Sequence, residues 1–114
     1  MYEAINMKDL ELVKYLVEKC NADIEHREVQ KRSPLYYAAS KGEIEITSYL
    51  ISKGVDVNAK TAMGRCALLK AIWNGQLVLV KTLLKHPEIN IDVKDSSGRT
   101  PLHMAVWGKY GGKF

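Results

Sequence analysis

Ser33–Asn58 reads SPLYYAASKGEIEITSYLISKGVDVN, and its features recur on either side of it. Ser33-Pro34-Leu35 aligns with Cys66-Ala67-Leu68 at a shift of 33, and these align with Thr100-Pro101-Leu102 at a further 34. Self-similarity at that period marks an array of supersecondary units, each too small to bury its own helices alone. Within the unit, Ser33 supplies an N-cap hydroxyl. Pro34 takes the first helical position, where a missing N–H costs nothing. Ala38 and Ala39 keep the first helix thin enough to pack closely on its neighbours. Gly42 lets the chain reverse, and Ile46 and Leu50 give a second helix over 44–52 its core-facing side. Gly54 stops that helix, and Val57-Asn58 begin an extended excursion that turns back at Gly64. The predicted unit is helix, turn, helix and β-turn finger.

Toward the N-terminus, helical periodicity runs in two pieces, Tyr2, Ala4 and Ile5, then Leu10, Val13, Leu16 and Val17. The register with repeat two requires a one-residue insertion near Cys20-Asn21, and this repeat lacks its leading turn. Lys31 stands where the later fingers place Gly64 and Gly98, which predicts either backbone strain or a different turn. Toward the C-terminus, repeat three has Cys66-Ala67 in place of the capping pair, a loss of about 1 kcal/mol. Its second helix sets Leu79, Val80, Leu83 and Leu84 on one side and Lys81 and Lys85 on the other, and His86-Pro87 ends it. Repeat four opens as Gly98-Arg99-Thr100-Pro101-Leu102-His103-Met104-Ala105. It then breaks into Gly108-Lys109-Tyr110-Gly111-Gly112, without a second helix. The chain divides into one domain of repeats 1–32, 33–65, 66–99 and a partial repeat 100–114.

Thr100-Pro101-Leu102-His103-Met104-Ala105, followed along each unit by a helix, Gly and Val-Asp/Asn, resembles the ankyrin repeat. The resemblance covers nearly the whole chain, specific in repeats two and four and eroded in one and three. It implies an all-α solenoid of helix-turn-helix units joined by β-turn fingers, and a non-enzymatic module that binds proteins. Binding in the family uses the turn tips and the exposed side of the first helices, on the concave face. In this sequence those positions carry Val29, Gln30, Arg32, Ser40 and Lys41 first. Ala62, Met63, Arg65, Trp73 and Asn74 come next, and Ser96, Ser97, Arg99 and Trp107 last. Arg32, Arg65 and Arg99 recur at steps of 33 and 34, so stacking sets three guanidinium groups in a row with Trp73 and Trp107 beside them. Arg and Trp are enriched among binding hot spots. The competing assignment packs both tryptophans against neighbouring first helices and leaves the arginines as solvated turn residues.

Two other functions remain open at this stage. One is nucleic-acid or acidic-ligand binding through the Arg row. The other is a structural spacer or homodimer through the C-terminal end, where Met104, Val106 and Trp107 have no covering helix and call for further chain or a second copy. The resemblance also gives His103 the family's helix-capping role. It marks Asn58, in Leu50…Asp56-Val57-Asn58, as a candidate hydroxylation site.

Composition narrows the chemistry. At 114 residues, 46% hydrophobic and 26% charged, the chain is expected to fold as one globular domain. A net charge of +4 helps an acidic partner approach but is too small to identify nucleic acid. Cys20 and Cys66 form no CxxC pair, and His26, His86 and His103 are scattered, so no metal or cofactor is expected. Two cysteines without a secretory leader point to reduced thiols in the cytosol or nucleus, and Cys20 is expected to pack as a small hydrophobe. No apolar run approaches the roughly 20 residues of a membrane span. Neither a GxxxxGK[ST] nor a GxGxxG stretch is present. Glu43, Glu45, Asp56 and Asp92 read as solvated helix-start and loop residues, and Tyr36, Tyr37, Leu69 and Met104 as inter-repeat packing.

Overall fold

Ser33 starts its helix as expected. Its hydroxyl accepts a hydrogen bond from the Tyr36 N–H at 3.2 Å, and Pro34 opens the helix behind it. The computed structural model of the chain describes residues 1–107, with the side chain of Trp107 excepted. The glycine-rich segment expected to interrupt repeat four lies outside the described residues. Those residues form α1 (Tyr2–Asn6), α2 (Leu10–Lys19), α3 (Pro34–Ser40), α4 (Ile44–Ser52), α5 (Ala67–Trp73), α6 (Leu77–Leu84) and α7 (Pro101–Trp107), and no strand occurs among them. The first helices α1, α3, α5 and α7 stack as one layer, and α2, α4 and α6 as a second. The resulting all-α solenoid measures 41 × 26 × 25 Å.

Alternation of small and large residues fills the space between the layers. Ala38, Ala39 and Ala71 are buried and bring the first helices together, while Ile5, Leu35, Ile46, Leu50, Leu68 and Leu83 form the middle of the core. Each of these aliphatic side chains contributes about 1.5–3 kcal/mol by leaving water. Leu69 and Met104 are buried as expected, and His103 holds the start of α7, its Nδ1 accepting from the Thr100 N–H at 3.2 Å. Cys66 makes no side-chain cap, so α5 starts without the bond that Ser33 gives α3. Two expectations fail. Cys20 is exposed, because it follows the last turn of α2 on the solvent side. Leu84 is half-exposed, next to buried Leu83 in α6, whereas Ile51, its counterpart one repeat earlier, packs partly into the core.

The reversals explain how repeat one keeps the pattern while losing its glycines. Lys8, Asn21 and Lys31 have φ of 59°, 53° and 59° and occupy the places that Gly42, Gly54 and Gly64 take one repeat later. The turn at Lys31 is therefore the same turn, held at positive φ by a residue with a Cβ. The extra residue falls in α2, which has 10 residues against the 9 of α4.

Candidate functional site

Three fingers carry the arginine row, and they are built alike. In each, the amide of the first residue donates to the carbonyl four residues on: Glu28 to Arg32 at 3.4 Å, Thr61 to Arg65 at 2.9 Å and Asp95 to Arg99 at 3.0 Å. The side chain of that first residue then accepts from the amides two and four residues later. Glu28 Oε1 takes Gln30 and Arg32 (2.9 and 3.3 Å), Thr61 Oγ1 takes Met63 and Arg65 (both 3.3 Å), and Asp95 Oδ1 takes Ser97 and Arg99 (both 2.9 Å). Fingers also bond to one another, the Ala62 N–H to Gln30 O and the Ser96 N–H to Met63 O, each 2.9 Å. Arg32, Arg65 and Arg99 consequently leave corresponding points of a linked strip.

Their heads are held in three different ways. Arg32 grips Glu28 through Nε (3.1 Å) and Nη2 (2.9 Å), and this bond holds the Glu28 carboxyl well down, from the ordinary 4.5 to about 2. Arg65 Nε lies 3.7 Å from Oδ2 of Asp95, whose side chain is buried. Burial alone would push the Asp95 carboxyl up. The amides of Arg99 and Ser97 and the guanidiniums of Arg99 and Arg65 outweigh it and hold the group charged. Arg99 stands over the Trp73 ring at 6.0 Å. These guanidiniums are oriented rather than freely solvated, and two of the three face carboxylates.

Between repeats two and three the concave side opens into a cavity of about 440 Å³. Arg32, Lys41, Arg65 and Lys70 line it, with Gln30, Ser40 and Asn74 as neutral polar groups and Met63 and Tyr36 as its apolar parts. Burial pushes the Tyr36 phenol up, and Arg65 and Arg32 partly offset that. Asn74 Nδ2 donates to Ser40 O at 3.4 Å and so links α5 to α3. Tyr37 sits against the first helix before it, its ring edge-on to Tyr2 at 5.3 Å, with Arg32 at 5.9 Å and Lys41 at 5.4 Å from its centroid.

The structure thus brings Arg32, Lys41, Met63, Arg65 and Asn74 to one groove, with Trp73 half-buried beside it and Arg99 over that ring. Val29, Gln30, Ala62, Ser96 and Ser97 are exposed finger residues, whereas the side chain of Trp107 lies outside the described residues. Sequence reasoning missed Lys70, Glu28 and Asp95. Lys70 was signalled by its place one turn before Trp73 and Asn74, and the acceptors by their place four residues before each arginine. Asn58 lies apart, at the finger base. Its Nδ2 donates to Glu88 O and its Oδ1 accepts from the Asn90 N–H, both at 2.8 Å. Among the described residues no three His, Cys, Asp or Glu side chains gather as a metal site, and no helix is long and apolar enough to cross a membrane.

A family model for ankyrin repeats (3 copies) matches residues 1–95 and 63–112. Rabankyrin-5 of Mus musculus is 36% identical over 86 residues, 75% of this chain and 7% of its own length. The probable E3 ubiquitin-protein ligase XBOS33 of Oryza sativa subsp. japonica is 42% identical over 75 residues, 65% of this chain and 14% of its own. Alpha-latrotoxin-Lh1a of Latrodectus hasselti is 39% identical over 77 residues, 67% of this chain and 6% of its own. The chain therefore spans a small part of the relatives it matches. What it shares with them is the repeat itself, and ankyrin repeats are generally non-enzymatic modules of protein–protein interaction. The period, the stacked helix pairs, the bonded fingers and the family match converge, and the chain belongs to the ankyrin-repeat family.

Proposed function

We propose that this chain binds a segment of another protein along the concave face, through Arg32, Lys41, Met63, Arg65, Trp73, Asn74, Arg99 and Trp107, and catalyses no reaction. The observation that carries the reading is the orientation of the arginines, Arg32 by Glu28 of its own finger, Arg65 by Asp95 of the next and Arg99 over the Trp73 ring. A side chain fixed in place before the partner arrives loses less entropy on binding, so more of the contact energy is realised. Met63 is 57% exposed among these cations and adds an apolar contact that serves no core. A pull-down from cell lysate with the wild-type chain and an Arg65→Glu, Trp73→Ala variant of equal helicity tests it. A protein retained by the wild type and lost by the variant supports the face; equal retention overturns it. The expected compartment is the cytosol or nucleus, and fractionation of the native cell checks that.

A second reading, a homodimer through the α6 and α7 end, has its own observation. Leu35 and Leu68 are 2% and 0% exposed beneath the repeat that follows each, whereas the equivalent Leu102 is 73% exposed. Ile91 is likewise exposed where Val57 is buried. A second copy meeting this end through the same surface covers both. Light scattering that gives a dimer mass for the wild type and a monomer mass for Leu102→Lys supports the contact; a monomer at every concentration removes it. Asn58 remains a proposed hydroxylation site. Both ends of its amide are engaged, so modification requires the finger base to open, and a native-cell mass spectrum without added oxygen at Asn58 removes the idea.

A further inference from the structure

Resting on the concave-face reading, we infer that Tyr2 is a positioning residue of that face: it touches no partner itself and holds Arg32 ready for one. Its hydroxyl stands between two carbonyls of finger one, donating to His26 O at 2.6 Å and to Arg32 O. Arg32 O is the same atom that closes the finger turn by accepting from the Glu28 N–H, so one phenol ties the start of the finger to its end. Burial, and then the Glu28 charge, push the Tyr2 phenol up, which keeps the donor proton on it. The ring acts in the same direction. It lies edge-on to Tyr37 at 5.3 Å, and Tyr37 in turn faces the Arg32 guanidinium at 5.9 Å and the Lys41 ammonium at 5.4 Å. Tyr2 therefore bears on Arg32 twice, through its carbonyl and through the ring beside its guanidinium.

Finger one needs such a tie because it stands at the end of the strip. Finger two is bonded on both sides, its Ala62 N–H to Gln30 O and its Met63 O to the Ser96 N–H, each 2.9 Å. Among the described residues finger one meets a finger on one side only, and Val29 at its tip is 98% exposed. Tyr2, in the first turn of α1, bonds it from the helix layer instead. At a shift of 34 the same position is Tyr36, which lines the groove beside Arg65, and at a further 33 it is Leu69, which has no donor and is buried. Tyr2 stands outside the groove lining, so its effect on a partner passes through Arg32. A guanidinium already held loses less freedom on binding. The grip of Arg32 Nε and Nη2 on Glu28 in turn depends on the finger keeping its shape.

The test is selection of phage-displayed random dodecapeptides on the intact wild-type chain, with depletion on an Arg32→Gln chain and, separately, on a Trp73→Ala chain. The affinity of each enriched peptide is then titrated by fluorescence polarisation. For a peptide that needs Arg32, Tyr2→Phe at unchanged helicity weakens binding about three- to tenfold. In the Arg32→Gln background the same change costs little more, because both act through one group. A merely structural role would weaken binding equally in the two backgrounds, so that additivity overturns the inference, as does a Tyr2→Phe chain that binds like wild type. Both results leave the concave face standing. Peptides that need Trp73 and not Arg32 overturn the inference in the same way. Peptides indifferent to both substitutions, or no enrichment, overturn the concave reading and the inference with it. Should Tyr2→Phe lose helicity, difluorotyrosine at position 2 keeps the hydroxyl and gives up its proton as pH rises. The affinity loss is then read in a folded chain, against wild type at the same pH.

Discussion

Replacing Lys31 by glycine should stabilise this protein, although it removes a side chain. The residue sits at φ 59°, where a Cβ crowds the following carbonyl at a cost of about 1–2 kcal/mol. Glycine relieves that and adds about 0.5–1 kcal/mol of unfolded-state freedom to be lost on folding. The net gain is about 0.5–1 kcal/mol, or about 2–5 °C in Tm for a domain of this size. The turn bond from the Lys31 N–H to Glu28 O, 2.8 Å, is untouched, and the side chain is exposed. Two converse substitutions calibrate it. Gly98→Ala places a Cβ in open space at φ 77°, so only the backbone penalty acts and about 0.5–1 kcal/mol is lost. Gly64→Ala has the same backbone problem at φ 74°, and its Cβ would lie 2.8 Å from Ser96 N, whose hydrogen bond to Met63 O joins the fingers. That loss should be larger, about 2 kcal/mol or more. Urea denaturation followed by circular dichroism ranks all three. A Lys31→Gly chain no more stable than wild type would refute the claim that repeat one stores strain where later fingers have glycine, and Gly64→Ala and Gly98→Ala of equal cost would refute the close approach of the fingers at Gly64.

Thr47 is fully buried in α4 with an Oγ1 that has no hydrogen-bond partner, and the equivalent residue one repeat later is Val80, so Thr47→Val should raise stability by about 1 kcal/mol in the same denaturation assay. Glu28 takes up its proton at about 2 when folded and near 4.5 when unfolded, so its stabilising effect is present above pH 4.5 and is lost as pH falls through 2. Glu28→Gln should flatten the acid limb of a stability-versus-pH curve in that window. Burial pushes the Cys66 thiol up and shields it, while Cys20 is exposed. Titration with a thiol reagent should therefore show one fast cysteine in the native chain, mapped to Cys20 by mass spectrometry, and a second only after denaturant is added.

The repeat unit was readable because its signals are local. Ser33-Pro34, the alanines of the first helix and the helix-stopping glycines each act within a few residues, and three copies in register left little freedom in the stacking. Repeat one was harder, because Lys8, Asn21 and Lys31 perform turns whose usual signal is the absence of a side chain. Leu84 and Cys20 were misplaced because a hydrophobic pattern shows which residues are apolar, not which neighbour covers them. The row of arginines followed from spacing alone, but its charge did not. The partner of Arg65 is Asp95, in the next finger, and only the inter-finger bonds bring the two together. Tyr37, assigned to inter-repeat packing, does pack against the core and against Tyr2 of α1, and it carries two cations as well, which the sequence pattern did not show.

The measurement that reaches the central claim most directly is photo-crosslinking in the native cell from benzoylphenylalanine placed at Met63, with the exposed Ser48 of α4 as the comparison position. Met63 lies in the concave groove and Ser48 in the second-helix layer. The account predicts a discrete crosslinked protein from position 63 that is lost with Arg65→Glu and absent from position 48. Crosslinking from position 48 alone, or equally from both, would contradict a concave binding face.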